Sequence, residues 1–437
     1  MTTWIERSSK RLGEHYFHTV HKSGLPVYVF PKRMTGTYAL LGVKYGSVDN
    51  WFCTSEESAP HALPEGIAHF LEHKLFENED GSDSFAKFSM LGADANAYTA
   101  YDRTAYLFSC TENFEACLEE LLRFVTHPYF TEASIQKEQG IIGEEIRMYD
   151  DHPWERGYRN LLRALYLEHP VRNNICGSRE SIARITPELL YECCRIFYRP
   201  SNMALVICGD VECDAVMRVV DEAFPDLPPR GGEIVRSLPS EPSGVATHSV
   251  SDRMQVSKPI FSIGIKDTVI PRDPVERLRR DAAMAVLNEV LFSRCETFYS
   301  TLFEEGILTP TFSFGYSGTD SFAFNCISGE SDHPTLVLER LWAYLETVKR
   351  EGISRESFER CKRVLYADEI RAYDSTEEIA ENLLPFVFDG AELFDYPELI
   401  SEVTLEDVTA LLNSFFKQEQ TVLSVVYPLE DTAKEDE

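Results

Sequence analysis

The chain has 437 residues, 43% of them apolar and 26% charged, and 72 acidic side chains against 42 basic ones give a net charge of −30. That length is enough for two domains with sizeable cores. The charge argues against nucleic-acid or anionic-membrane binding through bulk electrostatics, and no run of eighteen apolar residues predicts a membrane-spanning helix. Eleven cysteines occur without a single C-x-x-C pair, which speaks against a disulfide scaffold or a thiolate zinc finger and for reduced core thiols. The first residues, "MTTWIERSSKRLGEHYF", lack the apolar core of a secretory signal, so a cytoplasmic location is expected.

In chain order, the alternation of apolar and polar residues predicts strands over about 15–31 and 38–47. A helix is predicted to follow Pro64 and run through about Phe76, with Pro64 where the helix is about to begin, a place where a fixed φ and a missing N–H cost nothing. A second helix follows over about 82–91, then a hairpin over 94–110 that turns near Asp102 and Arg103. Helices near 113–126, 131–150 and 154–168 complete the first half. His127 and His152 stand beside prolines at predicted helix ends and read as caps or turn residues.

The first of these helices carries "GIAHFLEHKLFE" (66–77). His69 and His73 are i, i+4 and so lie one above the other, and Glu72 shares much of that face. Two imidazoles stacked in this way can converge on one cation while the carboxylate holds a water. Metal-assisted hydrolysis needs those parts, together with an open coordination position. The order H-x-x-E-H is the inverse of the H-E-x-x-H peptidase motif. The competing reading is a solvated polar helix face. A third ligand is offered by "SIQKEQGIIGEEIRMYDD" (134–151), where Ile135, Ile142 and Ile146 form an apolar stripe. Glu138 and Glu145 are seven apart and share a face, whereas Glu144 points roughly 100° away toward water or an ion pair. Glu145, with Glu138 behind it, is therefore the expected ligand.

A stretch rich in proline, glycine and serine, "DLPPRGGEIVRSLPSEPSGVATHSVSD", marks a linker. The expected division is a zinc-bearing catalytic domain over 1–228, a linker over 229–252 and a second homologous domain without the zinc motif over 253–437. A repeat supports it: "TPELLYECCRIFYRPSNMALVI" from Thr186 aligns without gaps with "TLEDVTALLNSFFKQEQTVLSV" from Thr404. Both read as a Thr-capped helix followed by an apolar strand. The expected class is α+β, with two homologous α/β-layer domains, each an antiparallel-rich mixed sheet covered by helices on one face. The charged tail "EDTAKEDE" is expected to be disordered.

Taken together these motifs resemble the insulinase/pitrilysin family of zinc metallopeptidases, the inverzincins, in its half-length bacterial form. His69-Phe70-Leu71-Glu72-His73 matches the family's H-x-x-E-H, and Glu138 with Glu145 matches its E-x6-E pair. "GADANAYTAYDRTAYLF" (92–108) is similar to the segment carrying Asn-Ala-x-Thr on an edge strand. The resemblance implies one Zn2+ per chain held by His69, His73 and Glu145, with Glu72 as general base and Glu138 orienting a ligand. It also implies a peptide substrate added as a strand against Asn96 and Ala97, inside a closed chamber.

One segment departs from the pattern. Family members that complete their own site carry an arginine and, seven residues on, a tyrosine in the second half. Here "STLFEEGILTPTFSFGY" (300–316) puts Phe303 at the arginine position and Thr309 at the tyrosine position, with Arg294 and Tyr316 nearby but wrongly spaced. The expectation is a zinc-bearing subunit whose homologous partner supplies the Arg/Tyr pair, with a homodimer as the second possibility. A catalytically silent scaffold subunit and a specialised leader-peptide processing peptidase are the alternative functions.

Overall fold

Residues 3–55, 61–224 and 233–429 are described in the computed structural model of the chain. The expected tail over 430–437 and the first residues of the expected linker, 229–232, lie outside them.

Apolar runs that are buried on both faces form the centre of each sheet. Thr37–Val43 and Met203–Gly209 in the first half, and Ile260–Lys266 in the second, are buried at every position. Such strands must be covered on both sides. The first sheet has seven strands in the order Ile5–Ser9, Glu14–Val20, Pro26–Pro31, Met203–Gly209, Thr37–Val43, Thr104–Cys110, Asp94–Thr99. All neighbours are antiparallel except Pro26–Pro31 with Met203–Gly209. The second sheet has five, in the order Ser249–Met254, Thr421–Pro428, Ile260–Lys266, Ala323–Glu330, Ser313–Gly318, with only the first pair parallel. The second sheet thus repeats, in order and direction, the five strands of the first that run from Pro26–Pro31 to the edge strand Asp94–Thr99. The Thr186 and Thr404 repeats occupy matching places, since each threonine caps its helix and each helix leads to a strand of the parallel pair. The chain is an α+β protein built from two mixed, antiparallel-rich sheets with helices packed on them.

Several boundaries differ from the sequence reading. The predicted strand 15–31 is a hairpin, because Ser23-Gly24 turns the chain and the Gly24 amide bonds the His21 carbonyl. Part of the expected linker is ordered as strand: Ile234–Arg236 pairs with Trp51–Thr54, and Ser249–Met254 forms an edge of the second sheet. Both are short or half-exposed edge strands, whose polar alternation imitates a loop.

The compact units also do not follow a single cut. The first comprises residues 1–146, 174–238 and 369–394, and the second 147–173, 239–368 and 395–437. Each includes a helix from the other half of the sequence. In the first unit, Leu383 and Leu384 of the helix Thr376–Asp389 join a buried cluster with Tyr38, Leu40, Ala204 and Val206. That helix covers a face the sequence reading leaves bare. In the second unit, the Gly157 carbonyl of the helix Pro153–Leu165 accepts from the Ser424 hydroxyl. A glycine in each central strand admits the incoming helix: a Cβ on Gly42 would lie 2.5 Å from Leu384, and one on Gly264 would lie 2.7 Å from Leu165. Hydrophobic periodicity shows that these helices have an apolar face but not which sheet receives it.

Leu384→Ala empties a fully buried position in that cluster and is expected to cost about 2–5 kcal/mol in denaturant unfolding of the first unit. An unchanged midpoint would mean that the exchanged helix contributes nothing to the unit.

Candidate metal centre

The histidine helix runs over Ile67–Leu75 and begins after Gly66, so it follows Pro64 as expected. The Ile67 amide still reaches back to the Pro64 carbonyl. Gly66 has φ 86° and faces the carbonyl of Cys176, which a Cβ would approach to 2.4 Å. Only glycine satisfies both demands. Eight of the nine helix residues are buried; Ile67, Phe70 and Leu71 are fully inside and anchor it. His69 and Glu72 are 7% and 8% exposed, so the motif does not form a solvated polar face.

The second element is the helix Glu132–Asp150, whose Ile135, Ile142 and Ile146 bury the predicted stripe. Glu138 and Glu145 point to the histidine helix. His69 Nε2 lies 3.6 Å from one oxygen of Glu145, and His73 Nε2 lies 3.5 Å from the other. The His73 Nδ1 is 3.0 Å from Glu138. Glu138 thus accepts a hydrogen bond from the Nδ1–H and leaves the Nε2 lone pair free, the tautomer a metal requires. Glu144 turns outward to Arg179 at 3.4 Å, as its angle on the helix predicts.

A tetrahedral zinc with bonds of about 2.0–2.1 Å holds its nitrogen and oxygen ligands about 3.3–3.4 Å apart. The spacings above are close to that. The Nδ1 of the buried His69 ring has no hydrogen-bond partner among the described residues, while its Nε2 is aimed at the Glu145 carboxylate. The donor set, two neutral imidazoles and a carboxylate, suits zinc. These residues therefore fit a zinc ion. Burial pulls the affinity of His73 for its proton down, but the Glu138 hydrogen bond and the charges of Glu72, Glu145 and Glu138 outweigh this and leave it raised above 6.5.

The third element is the strand Asp94–Thr99, which ends the seven-stranded sheet and is paired only with Thr104–Cys110. Asn96 is exposed and its side-chain oxygen accepts from the Ala97 amide at 2.9 Å. Thr99 donates its hydroxyl to Glu72 at 2.7 Å. Thr99 is absent from the sequence-based site, although the threonine of Asn-Ala-x-Thr was the signal for it. A further neighbour, Cys176, lies with its sulfur 3.8 Å from His69 Nε2, and reasoning from spacing missed it among the core thiols. His127 and His152 act at helix ends as expected: His152 accepts from the Glu155 amide, and His127 closes the helix before it.

In the second unit, Phe303 is 44% exposed and stacks on Tyr299. The hydroxyl of Tyr316 donates to Asp267 at 2.8 Å, and Arg294 donates to the Pro310 carbonyl at 3.2 Å. Both groups are engaged within their own surroundings.

A buried H-x-x-E-H helix, a carboxylate helix beside it and an edge strand tied to the motif's glutamate define a zinc-peptidase type of site. The chain belongs to the insulinase family, peptidase family M16. The family's own model matches residues 60–179, and the model described as the peptidase M16 inactive domain matches residues 184–365. The chain is 39% identical to the uncharacterized zinc protease YmfH of Bacillus subtilis, over 96% of this chain and 98% of that protein. It is 23% identical to a Schizosaccharomyces pombe protein named "Probable mitochondrial-processing peptidase subunit beta", over 94% and 91% of the two chains. Among solved structures, an M16-like peptidase from Alicyclobacillus acidocaldarius superposes with a TM-score of 0.91 at 33% identity, covering 98% of this chain and 99% of that one.

Glu138→Gln keeps a hydrogen-bonding group beside His73 but removes its charge. Zinc affinity near neutral pH is expected to fall about 10–100-fold. Protons compete with metal for His73, so affinity falls as the pH drops through the raised value of this imidazole. Without the Glu138 charge that acid edge moves to lower pH. Chelator competition across a pH series checks both, and an unmoved edge would remove Glu138 from the site.

Proposed function

We propose that the chain is a zinc-dependent endopeptidase with one zinc held by His69, His73 and Glu145, acting on a peptide bound as an added strand along Asp94–Thr99. The observation that carries this reading is the convergence of both imidazoles on the two oxygens of Glu145, with Glu72 alongside. Bound zinc supplies Lewis-acid polarisation of the scissile carbonyl and makes water acidic enough to attack near neutral pH.

The protein's own groups do the rest. Glu72 accepts a proton from the attacking water and returns it to the leaving amine. Thr99 donates to one Glu72 oxygen and leaves the other for the proton, fixing the carboxylate as well as ordering the strand that meets the substrate. A peptide that adds to this strand takes main-chain hydrogen bonds from Ala97, whose amide Asn96 must release. An extended backbone is required, so short or unfolded peptides are favoured over folded proteins.

The absent Arg/Tyr pair supports a second subunit. Phe303 cannot donate hydrogen bonds, and Tyr316 and Arg294 already have other partners. A relative named as a beta subunit is consistent with a heterodimer in which a homologous partner supplies the oxyanion and backbone donors across a closed chamber. A homodimer with another donor is the second arrangement.

Glu72→Gln is expected to retain zinc at one ion per chain and to lose about 10²–10⁴-fold in peptide cleavage; cleavage at the wild-type rate would exclude Glu72 as the base. The chain alone is expected to cleave about 10²–10³-fold more slowly than the chain with its partner, the effect of a missing oxyanion donor. Equal rates in a mixed-peptide assay would rule out the heterodimer while leaving the peptidase intact. Absence of bound zinc would instead favour a scaffold subunit.

A further inference from the structure

Cys176 has no place in the ligand set described above, yet its position is held from two sides. Its sulfur lies 3.8 Å from His69 Nε2, and it forms with His69 and Glu145 a group of three donor atoms, all within 4.8 Å of one another. Cys176 is 5% exposed and His69 7%. The loop carrying the cysteine is clamped to the start of the histidine helix. Gly66 and Gly177 meet each other's neighbouring backbone: a Cβ on either would come within 2.4 Å of a carbonyl oxygen, of Cys176 and Glu65 respectively. The Ser181 hydroxyl also donates to the Glu65 carbonyl at 2.8 Å. The cysteine cannot drift from the site without unseating the helix that carries both histidines. His69 directs into this group the nitrogen that would meet a metal: its Nε2 faces both Cys176 and Glu145.

We propose that Cys176 is a further protein ligand of this centre, binding the metal as its thiolate together with His69 and Glu145; this rests on the zinc reading above. A thiolate bond of about 2.3 Å beside a nitrogen bond of about 2.0–2.1 Å separates sulfur from nitrogen by about 3.5 Å, close to the spacing observed. On binding, the S–H bond breaks, a metal–sulfur bond forms and the proton passes to solvent. The consequence is regulatory. His69 and Glu145 belong to two ligand sets, one completed by His73 and the other by Cys176. A thiolate in the sphere lowers the Lewis acidity that hydrolysis draws on, so the cysteine-bound form is a resting state.

The test is Co2+ substitution of the full-length chain, read by absorption rather than by turnover. Thiolate bound to Co2+ gives an intense charge-transfer band in the near ultraviolet, and four-coordinate Co2+ gives visible d–d bands whatever its ligands. The expected result is a near-ultraviolet band in the wild type that disappears in Cys176→Ser while the d–d bands remain. In His73→Ala the band is expected to persist, because the second ligand set is complete without His73. Cys176→Ala, which keeps a small buried residue, should weaken Co2+ binding at least tenfold in chelator competition. Visible d–d bands without a charge-transfer band in the wild type would overturn the proposal and leave the His69, His73, Glu145 site standing. No Co2+ spectrum of either kind would overturn the zinc reading as well.

Discussion

Two imidazoles and three carboxylates share one largely buried wall of the first unit, and the rest of the site follows from how their charges are accommodated. Glu72 and Glu138 are 8% and 6% exposed and cannot rely on water for solvation. Buried like charges are costly unless they are hydrogen-bonded or paired with a cation. Here each has an assigned donor: Thr99 for Glu72, and His73 for Glu138. Glu145 lies between the two Nε2 atoms, where a divalent ion would offset its charge and that of its neighbours. The helix period makes this possible, since four residues bring His73 over His69, seven bring Glu145 over Glu138, and the intervening apolar residues fix both helices in the core.

The duplication gives this wall its frame. A helix from the second half of the sequence completes the first unit, and its Glu381 accepts from both Tyr38 and Tyr98 at 2.7 Å. Tyr98 precedes Thr99 on the edge strand. A residue from the second half of the sequence therefore braces the strand that orders the base and is proposed to receive the substrate. The sheet of the second unit keeps the order of five strands of the first.

How far the site could be read from sequence depended on the distance between its parts. His69, Glu72 and His73 lie within one helix turn and a half, so their shared face is a matter of spacing. Glu138 and Glu145 were legible for the same reason, and the hairpin over Asp94–Cys110 announced itself by alternation around Asp102 and Arg103. Cys176 lies 107 residues from His69, and two glycines that let backbones cross bring them together, which no periodicity encodes. The exchange of helices was hidden for a similar reason: an amphipathic helix declares an apolar face without naming the surface it covers. The ordered parts of the linker escaped notice because short edge strands are polar on one side and rich in turn residues.

The central claim is that His69, His73 and Glu145 hold a single zinc. X-ray diffraction from crystals of the intact chain, recorded just above and just below the zinc absorption edge, tests it directly. The account predicts one anomalous peak per chain, within bonding distance of both Nε2 atoms and of Glu145, that vanishes below the edge. No peak in zinc-supplemented crystals, or a peak held by other residues, would contradict it.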